Sequence, residues 1–210
     1  MIIGGLQPCS FSDYPGRMAA VIFAQGCNFR CPFCHNGSLL SKRDTSPLGQ
    51  DLIFDFLRRR RDRLGGVVIT GGEPTEQADL PQFVAQVKEL GFGIKLDTNG
   101  SHPETVGLLL QEQLVDYIAM DIKAPLYKYD TLCGTKVDTR AIRRTISIIA
   151  AGRVKHHFRT THVKSLLSAR DFEELLELVP PSSRHVTQPF MPETAWQPGL
   201  RSEKESAPSH

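Results

Sequence analysis

The sequence predicts an α/β fold, a partial and open (β/α)6 barrel of the TIM-like kind. Six short runs with strand composition alternate with segments of helical periodicity, and this alternation implies a parallel sheet with helical crossovers. Six strand–helix units are too few to close a barrel of eight. The 210 residues, 40% of them hydrophobic, supply enough core for one domain. The predicted strands are Ala19–Ala24, Gly66–Thr70, Gly93–Asp97, Tyr117–Asp121, His157–Thr161 and His185–Gln188.

The predicted strands differ in how apolar they are. The first four are strongly apolar, as expected for strands that are covered on both faces of a parallel sheet. The fifth and sixth contain more polar residues. The segment up to Gly16 could add a hairpin at the edge of the sheet.

Helical periodicity between the strands predicts five helices, because apolar residues recur three or four positions apart. Residues 168–171 (SARD) resemble a capping box at the start of the fifth helix. The apolar residues are Leu52, Ile53, Phe56, Leu57 and Leu64 for the first helix, Phe83, Val84, Val87 and Leu90 for the second, Val106, Leu109, Leu110 and Leu114 for the third, Ile142, Ile146, Ile149 and Ala150 for the fourth, and Phe172, Leu175, Leu176 and Val179 for the fifth.

Charge and hydropathy exclude several classes of partner. The net charge of +2 gives no reason to expect nucleic acid or an anionic membrane as a partner. No apolar run approaches the roughly 20 residues of a membrane span, and no secretion signal is recognised, so we expect a cytoplasmic protein. The run Arg58–Arg61 could contact an acidic partner or nucleic acid, but on a helix most of its members must face water.

Three cysteines follow the first predicted strand with the spacing C-x3-C-x2-C. Cys27, Cys31 and Cys34 could bind three irons of an iron–sulfur cube and leave the fourth iron open to a substrate. The alternatives are a zinc site, with His35 as the fourth ligand, and a disulfide. Cys9 and Cys133 stand apart and are interpreted as simple buried or half-buried thiols, although either could be a fourth ligand or a redox residue.

Further polar residues fall where predicted strands end, and in a parallel barrel these ends open onto one face. Gly71 and Gly72 let the backbone approach a ligand closely, and Glu73 offers a carboxylate to an ammonium group. Asp97 and Asp121 end consecutive strands, so a cation or a proton should join them. The remaining strand-end residues are Thr98, Asn99, Lys123, Arg159 and Gln188.

Five segments together resemble one family. They are FSDYPG (11–16), QGCNFRCPFCHN (25–36), VITGGEP (68–74), KLDTNG (95–100) and VDYIAMDIKAP (115–125). They resemble the activating proteins of anaerobic ribonucleoside-triphosphate reductase, which are radical S-adenosylmethionine (SAM) enzymes and glycyl-radical-enzyme activases. The resemblance covers about residues 4 to 192 and implies the partial barrel as the fold. We therefore expect a radical SAM domain over residues 1–192 and a disordered tail over residues 193–210.

The resemblance implies a set of cofactor-binding residues. Cys27, Cys31 and Cys34 would hold a 4Fe–4S cluster, and Phe33 belongs to the same motif. The glycines with Glu73 would hold the amino group of SAM. The remaining implied roles are a monovalent cation beside the SAM carboxylate for Asp97, Thr98, Asp121 and the Ala119 carbonyl, SAM or substrate binding for Lys123 and Arg159, and a place in the cofactor site for Asn99.

The resemblance also implies an activity. The enzyme would cleave SAM reductively at the cluster and generate a glycyl radical on a partner, anaerobic ribonucleotide reductase, with electrons from flavodoxin or ferredoxin. No catalytic residue is assigned beyond the cluster and SAM, because the cofactors carry the chemistry. Two alternatives stay open. One is a radical SAM enzyme acting on a small molecule such as a deazapurine precursor, and the other is a metal-binding sensor without enzymatic activity.

Overall fold

The chain folds around one seven-stranded sheet, described by a computed structural model for residues 1–41 and 46–202. The strands lie in the sheet in the order in which they occur along the chain, β1 to β7. The first pair is antiparallel and every later pair is parallel. The strands are β1 (Ile3–Ser10), β2 (Ala19–Ala24), β3 (Gly66–Gly71), β4 (Gly93–Thr98), β5 (Tyr117–Asp121), β6 (Lys155–His162) and β7 (His185–Pro189).

The predicted α/β fold is confirmed. All six predicted strands are present and parallel, and β1 pairs with β2 as the edge hairpin. β6 is longer than predicted by two residues at its start, because the polar Lys155 and His156 still pair with β5. Strand pairing depends on the neighbouring strand as much as on apolar composition, which explains why these two positions gave no local signal.

In the described residues six α-helices connect the strands, one more than predicted. The additional helix, α4, has five residues, which is too short to show helical periodicity in the sequence. Leu52 was expected on the buried face of α1, but it is 54% exposed, and Phe54 is buried instead. The helices are α1 (Gln50–Arg60), α2 (Leu80–Glu89), α3 (Pro103–Gln111), α4 (Tyr129–Cys133), α5 (Thr139–Ala151) and α6 (Ala169–Leu176).

Local signals in the sequence explain several of these element ends. The predicted capping box is present, since the Ser168 side chain accepts the Asp171 N–H and the Asp171 side chain accepts the Ser168 N–H. The arginines of the predicted run are exposed, and Arg58 pairs with Asp55 one turn earlier on α1. The interpretation of this run as a water-facing surface is therefore confirmed.

Side chains alternate between the two faces of the sheet, and both faces are covered. Ile22 and Ile69 point into the main core beneath the helices. On the opposite, concave face, Val21 and Val68 form a second small cluster that Tyr14 from the β1–β2 connection closes. Beyond this apolar cluster the same face of the sheet carries polar side chains, and the candidate site lies in this polar part.

Residues 190–201, which we call the strap, run across the loop that carries the three cysteines. The strap contains two short 3-10 turns and buries Phe190 and Ala195. Disorder was expected from residue 193, but residues 193–202 are folded against this loop. The expected tail beyond Ser202 lies outside the described residues, and the domain boundary stays a prediction. None of the helices in the described part of the chain is long and apolar enough to cross a membrane.

Candidate functional site

A cavity opens at the carboxyl ends of the parallel strands. Its empty volume is about 750 Å³, which includes the space of the open mouth. Thr161 and Gln188 line it from β6 and β7. The predicted site residues that line it are Cys27, Cys31, Phe33, Cys34, Gly71, Gly72, Glu73, Asp97, Thr98, Asn99, Asp121, Lys123 and Arg159.

The cysteine loop is held by its own backbone and by two buried rings. The Cys34 N–H donates to the Cys31 carbonyl at 3.1 Å, and the Phe29 N–H donates to the Cys27 sulfur at 3.3 Å. Phe29 and Phe33 are 3% and 5% exposed, so the loop is anchored in the core while its thiols face the cavity.

The thiols of the cysteine loop are largely shielded from water. Burial and the nearby Glu73 carboxylate raise the pKa of Cys27 to about 12, and burial also raises the pKa of Cys34. Both thiols are therefore protonated at neutral pH unless a metal replaces the proton. No three His, Cys, Asp or Glu side chains in the described ranges gather tightly enough to hold a single metal ion.

His35, the fourth ligand in the zinc alternative, is engaged by the strap. Its Nε2 accepts the Met191 N–H at 3.1 Å, and its ring stacks on Phe190 with 5.8 Å between ring centroids. Burial lowers the pKa of His35, which favours the neutral ring that accepts this hydrogen bond. These contacts disfavour the zinc alternative.

The glycine pair brings β3 and the cysteine loop together. Gly71 has a φ of +110°, and a Cβ there would lie 2.6 Å from the backbone of Ala24. A Cβ on Gly72 would collide with the carbonyl of Gly26. The Glu73 N–H then donates to this same carbonyl at 2.8 Å. The glycines are thus required by the close approach of the chain to itself, in addition to any approach of a ligand.

Glu73 is buried at the centre of the site, 1% exposed. Its Oε1 accepts hydrogen bonds from the N–H and hydroxyl of Thr75 at 3.1 and 2.5 Å and from the Thr98 hydroxyl at 2.8 Å. Its Oε2 accepts the Asn99 N–H at 2.6 Å. Burial raises the pKa of Glu73, while these four donors oppose the rise. The carboxylate therefore joins the ends of β3 and β4.

A row of alternating charges crosses the concave face beside the cavity. The Arg159 guanidinium contacts two carboxylates, with Nε 2.7 Å from Asp121 Oδ1 and Nη1 3.6 Å from Asp97 Oδ2. Lys95 pairs with the other oxygen of Asp97, and the Lys123 Nζ lies 3.2 Å from Asp121 Oδ2.

These ion pairs shift the pKa values of the side chains that form them. Burial alone would raise the pKa of Asp121, but the charges of Arg159 and Lys123 outweigh it and hold this pKa well below its usual range. The Asp121 charge in turn raises the pKa of Arg159, and for Lys123 it outweighs the opposing effect of burial and raises the pKa too. Of the three cations in the row, Arg159 and Lys123 line the cavity, and both are held by the Asp121 carboxylate.

The expected cation-binding residues are only partly brought together. Asp97 and Asp121 are both reached by Arg159, so a side-chain cation already joins them. Ala119 lies opposite Asp97 in the β4–β5 register and is fully buried. The monovalent cation stays a prediction.

Three polar residues of the site were not among the candidates identified from the sequence: Asn28, Asn36 and Lys95. Asn28 accepts the Asn99 amide at 2.9 Å, and the Asn36 amide donates to the Gly71 carbonyl at 3.1 Å. Asn28 directly follows Cys27 and Asn36 stands two residues after Cys34, and this closeness to the motif is the signal that could have indicated them. Lys95 stands two residues before Asp97, so the alternation of a strand puts both on the concave face.

The two isolated cysteines differ from each other. Cys9 is exposed on β1, and Cys133 is fully buried at the end of α4, beside the cysteine loop. The interpretation as a buried or half-buried thiol is confirmed for Cys133 and wrong for Cys9, because Cys9 is on the edge strand, where its side chain is exposed. The contact of Cys133 with the cysteine loop, through its carbonyl and the Arg30 N–H, gave no local signal in the sequence.

Comparisons with known proteins agree with this geometry. Residues 21–179 match the radical SAM superfamily. The chain is 32% identical over 200 residues to the "Putative glycyl-radical enzyme activating enzyme MJ1227" of Methanocaldococcus jannaschii, covering 93% of this chain and 82% of that protein. It is 28% identical over 132 residues to the 7-carboxy-7-deazaguanine synthase of Methanopyrus kandleri, covering 53% of this chain and 52% of the synthase.

A solved structure shares the fold. The structure titled "Native anSMEcpe with bound AdoMet" superposes with a TM-score of 0.62 at 17% identity, covering 80% of this chain and 50% of that one. The chain thus spans about half the length of this structure and of the deazaguanine synthase. The superfamily match extends over more than half of the chain and includes the three cysteines and the glycine pair. This chain therefore belongs to the radical SAM superfamily.

Proposed function

We propose that this protein is a radical SAM activase that generates a glycyl radical on a partner enzyme, with anaerobic ribonucleoside-triphosphate reductase as the partner. The observation that carries the proposal is the shared cavity, in which three cysteine thiols face the glycine pair and the charged row at one open rim. The likeness to a named activating enzyme over nearly the full chain supports the activase class.

Membership of the superfamily implies a 4Fe–4S cluster and SAM. The residues present fit a cluster, because the three thiols line one cavity. Cys27, Cys31 and Cys34 would hold three of its irons. The high pKa of Cys27 and Cys34 means that these thiols would lose their protons as iron binds.

The charged row fits a ligand that carries both an ammonium and a carboxylate group. Lys123 and Arg159 are the cations at the rim and would hold the SAM carboxylate. Gly71 and Gly72 would hold the amino group through their backbone, on a loop braced by Glu73. Thr98 and Asn99 would support this edge from β4, and Asp97 and Asp121 would keep the two cations in place or share a monovalent cation.

When bound, the cluster supplies one electron and SAM supplies the radical that abstracts a hydrogen atom. The protein itself positions the groups and limits water. Phe29, Phe33 and Leu40 line the cavity with apolar surface. The open mouth would admit a glycine-bearing loop of the partner, and flavodoxin or ferredoxin would provide the electron.

The test is an anaerobic assay of the reconstituted, reduced protein with SAM. We expect 5′-deoxyadenosine from the native chain and from Cys9→Ala, and at least about a hundredfold less from Cys31→Ala. Cys9 is the matched control because it is an exposed thiol outside the cavity. Normal turnover by Cys31→Ala would contradict the proposal.

A second assay addresses the partner. With the reductase present, we expect the electron paramagnetic resonance (EPR) signal of a glycyl radical that depends on both SAM and the native activase. Production of 5′-deoxyadenosine without this signal would favour a different substrate. A small molecule such as a deazapurine precursor is then the next candidate, since the chain shares 28% identity with a 7-carboxy-7-deazaguanine synthase over 132 residues.

A further inference from the structure

Two polar side chains of the cavity have no part in the proposed cofactor site. Thr161 is the residue before the last of β6 and Gln188 the residue before the last of β7, and both line the cavity. They are partners in the register of the parallel β6–β7 pair, so their strands hold them roughly 4.8 Å apart. A hydroxyl and a carboxamide are thereby placed side by side at one point of the rim.

These two side chains have polar groups that the chain itself does not use. In the described part of the chain, neither the Thr161 hydroxyl nor the Gln188 carboxamide forms a hydrogen bond with another residue. The Thr70 hydroxyl, which lines the same cavity, donates instead to Asp97 at 3.2 Å. Thr161 and Gln188 are half-buried, so fewer water molecules compete with a ligand for their polar groups than on the open surface.

The β7 side of the rim is also the side that another protein can reach. β7 is an edge strand of the sheet, whereas Gly71 ends the inner strand β3. Just after β7, Met191 is 47% exposed. The residues proposed to hold SAM come from β3 to β6 and the loops that follow these strands. This arrangement leaves the β7 end of the rim for the molecule that the radical attacks.

We propose that Thr161 and Gln188 bind the main chain of the partner loop that carries the glycine, and that they thereby select a peptide as the substrate. The inference rests on the proposed activase function and names the groups that recognise its substrate. A carboxamide has donors and an acceptor, so Gln188 can pair with the carbonyl and the N–H of one peptide group, and the Thr161 hydroxyl can donate to a neighbouring carbonyl. Glycine has no side chain to recognise, so main-chain groups are what such a site can bind.

The experiment follows glycyl-radical formation on the reductase by EPR at several reductase concentrations, with the full reconstituted chain. Equilibrium dialysis measures the affinity for SAM in the same proteins. Gln188→Ala removes the carboxamide, Gln188→Glu replaces its donor with an acceptor, and Thr161→Val removes the hydroxyl with little change in shape. Thr187→Val is the control, because Thr187 precedes Gln188 on β7 and faces the other side of the sheet.

The expected effect falls on the protein substrate. We expect kcat/KM for the reductase to fall at least about tenfold in both Gln188 variants and about threefold in Thr161→Val, as one or two lost hydrogen bonds predict. The dissociation constant of SAM should change by less than about twofold, because the lost groups bind the other ligand. Thr187→Val should match the native chain in both measurements.

The outcomes separate the two levels of the argument. Absence of 5′-deoxyadenosine from the native chain and from Thr187→Val would overturn the proposed function and this inference with it. Native kcat/KM in both Gln188 variants, with an active native chain, would overturn only the peptide-binding role. Weakening of SAM binding by the same factor as kcat/KM would mean that Gln188 contacts SAM and would contradict that role. If Gln188→Ala unfolds, Gln188→Glu and Thr161→Val decide, since a loss confined to the reductase supports the inference and native values overturn it.

Discussion

The carboxylate of Glu73 accepts four hydrogen bonds within the site, from Thr75, Thr98 and the Asn99 backbone. Sequence reasoning assigned it to the amino group of SAM. Its lone pairs are instead largely used by donors of the chain itself, and this leaves backbone groups of the glycine pair as the better partners for an ammonium group. Glu73 thus acts on the site by holding the ends of β3 and β4 in register.

Replacing Glu73 with Gln tests this bracing role. The amide nitrogen would face either the Asn99 N–H or the donors of Thr75 and Thr98, so at least one buried donor would lose its acceptor. We expect the free energy of unfolding to fall by about 1–3 kcal/mol, measured by urea denaturation of the protein without cofactors. The exposed Glu89→Gln is the control and should leave stability unchanged. Native stability in Glu73→Gln would show that these bonds contribute little.

Arg159 is an alternative to a bound monovalent cation as the positive charge between two carboxylates. Its guanidinium reaches both carboxylates that the sequence assigned to a monovalent cation. Two close carboxylates need one positive charge between them, and either a side chain or an ion can provide it.

The salt dependence of SAM cleavage distinguishes these two cases. If Arg159 is the bridging cation, we expect equal rates in potassium and tetramethylammonium buffers of one ionic strength. Arg159→Gln should reduce the rate at least about tenfold, because the two carboxylates would lose the cation that joins them and would repel each other in the site. Arg144→Gln, which removes an exposed pair with Glu104, is the control and should keep the native rate. A strong potassium requirement in the native chain would instead favour the bound ion.

At the scale of elements, the short helix α4 connects two parts of the rim. Tyr129 at its start is fully buried, and its hydroxyl accepts the Lys123 N–H at 3.2 Å. Cys133 at its end accepts the Arg30 N–H. A helix of five residues has little stability of its own, so these contacts hold it in place.

Substitution of Gly134 by Ala tests the contact between α4 and the cysteine loop. Alanine at a positive φ costs about 1–2 kcal/mol wherever it occurs. At Gly134 the added Cβ also meets the Arg30 carbonyl, so α4 and the loop must move apart. We expect Gly134→Ala to lose both stability and iron after reconstitution. Gly16→Ala has a similar φ of +74° with open space around its Cβ, and should lose only stability. Equal iron content in the two variants would contradict this role of α4.

At the scale of the whole molecule, the strap brings the C-terminal part of the described chain onto the cysteine loop. The Trp196 N–H donates to the Cys34 carbonyl and the Gln197 N–H to the Pro32 carbonyl, both at 2.9 Å. The Trp196 side chain also covers Gly37, where a Cβ would approach it to 2.8 Å. The loop that would hold the cluster is therefore supported from the core, from α4 and from the strap.

Removal of residues 191–210 tests the contribution of the strap. The loss of two backbone hydrogen bonds and of the Trp196 contact should lower the free energy of unfolding by about 1–3 kcal/mol. We also expect faster loss of iron to a chelator, followed by visible absorbance. A chain ending at Ser202 keeps every described contact and serves as the control. Equal rates of iron loss from the two chains would show that the loop does not depend on the strap.

Much of the fold could be predicted from the sequence because its signals come from residues close together in the chain. Six parallel strands, the edge hairpin, five helices and the capping box each depend on residues close together in the chain. The cysteine spacing and the strand-end positions brought thirteen predicted site residues to one cavity, because the ends of parallel strands meet at one rim. Their roles toward cofactors stay predictions.

Contacts between residues distant in the chain were decided only by the tertiary structure. The partners of Glu73, the bridging position of Arg159, the strap and the hydrogen bond from the Arg30 N–H to the Cys133 carbonyl all join separate elements. A lone cysteine or a polar C-terminal segment carries no periodic signal, so its neighbours become visible only when the chain is packed. The sequence by itself determined the fold, the superfamily and the set of residues at the rim. The tertiary structure decided which of them bond to one another, since buried polar groups must find partners among whatever the fold brings close.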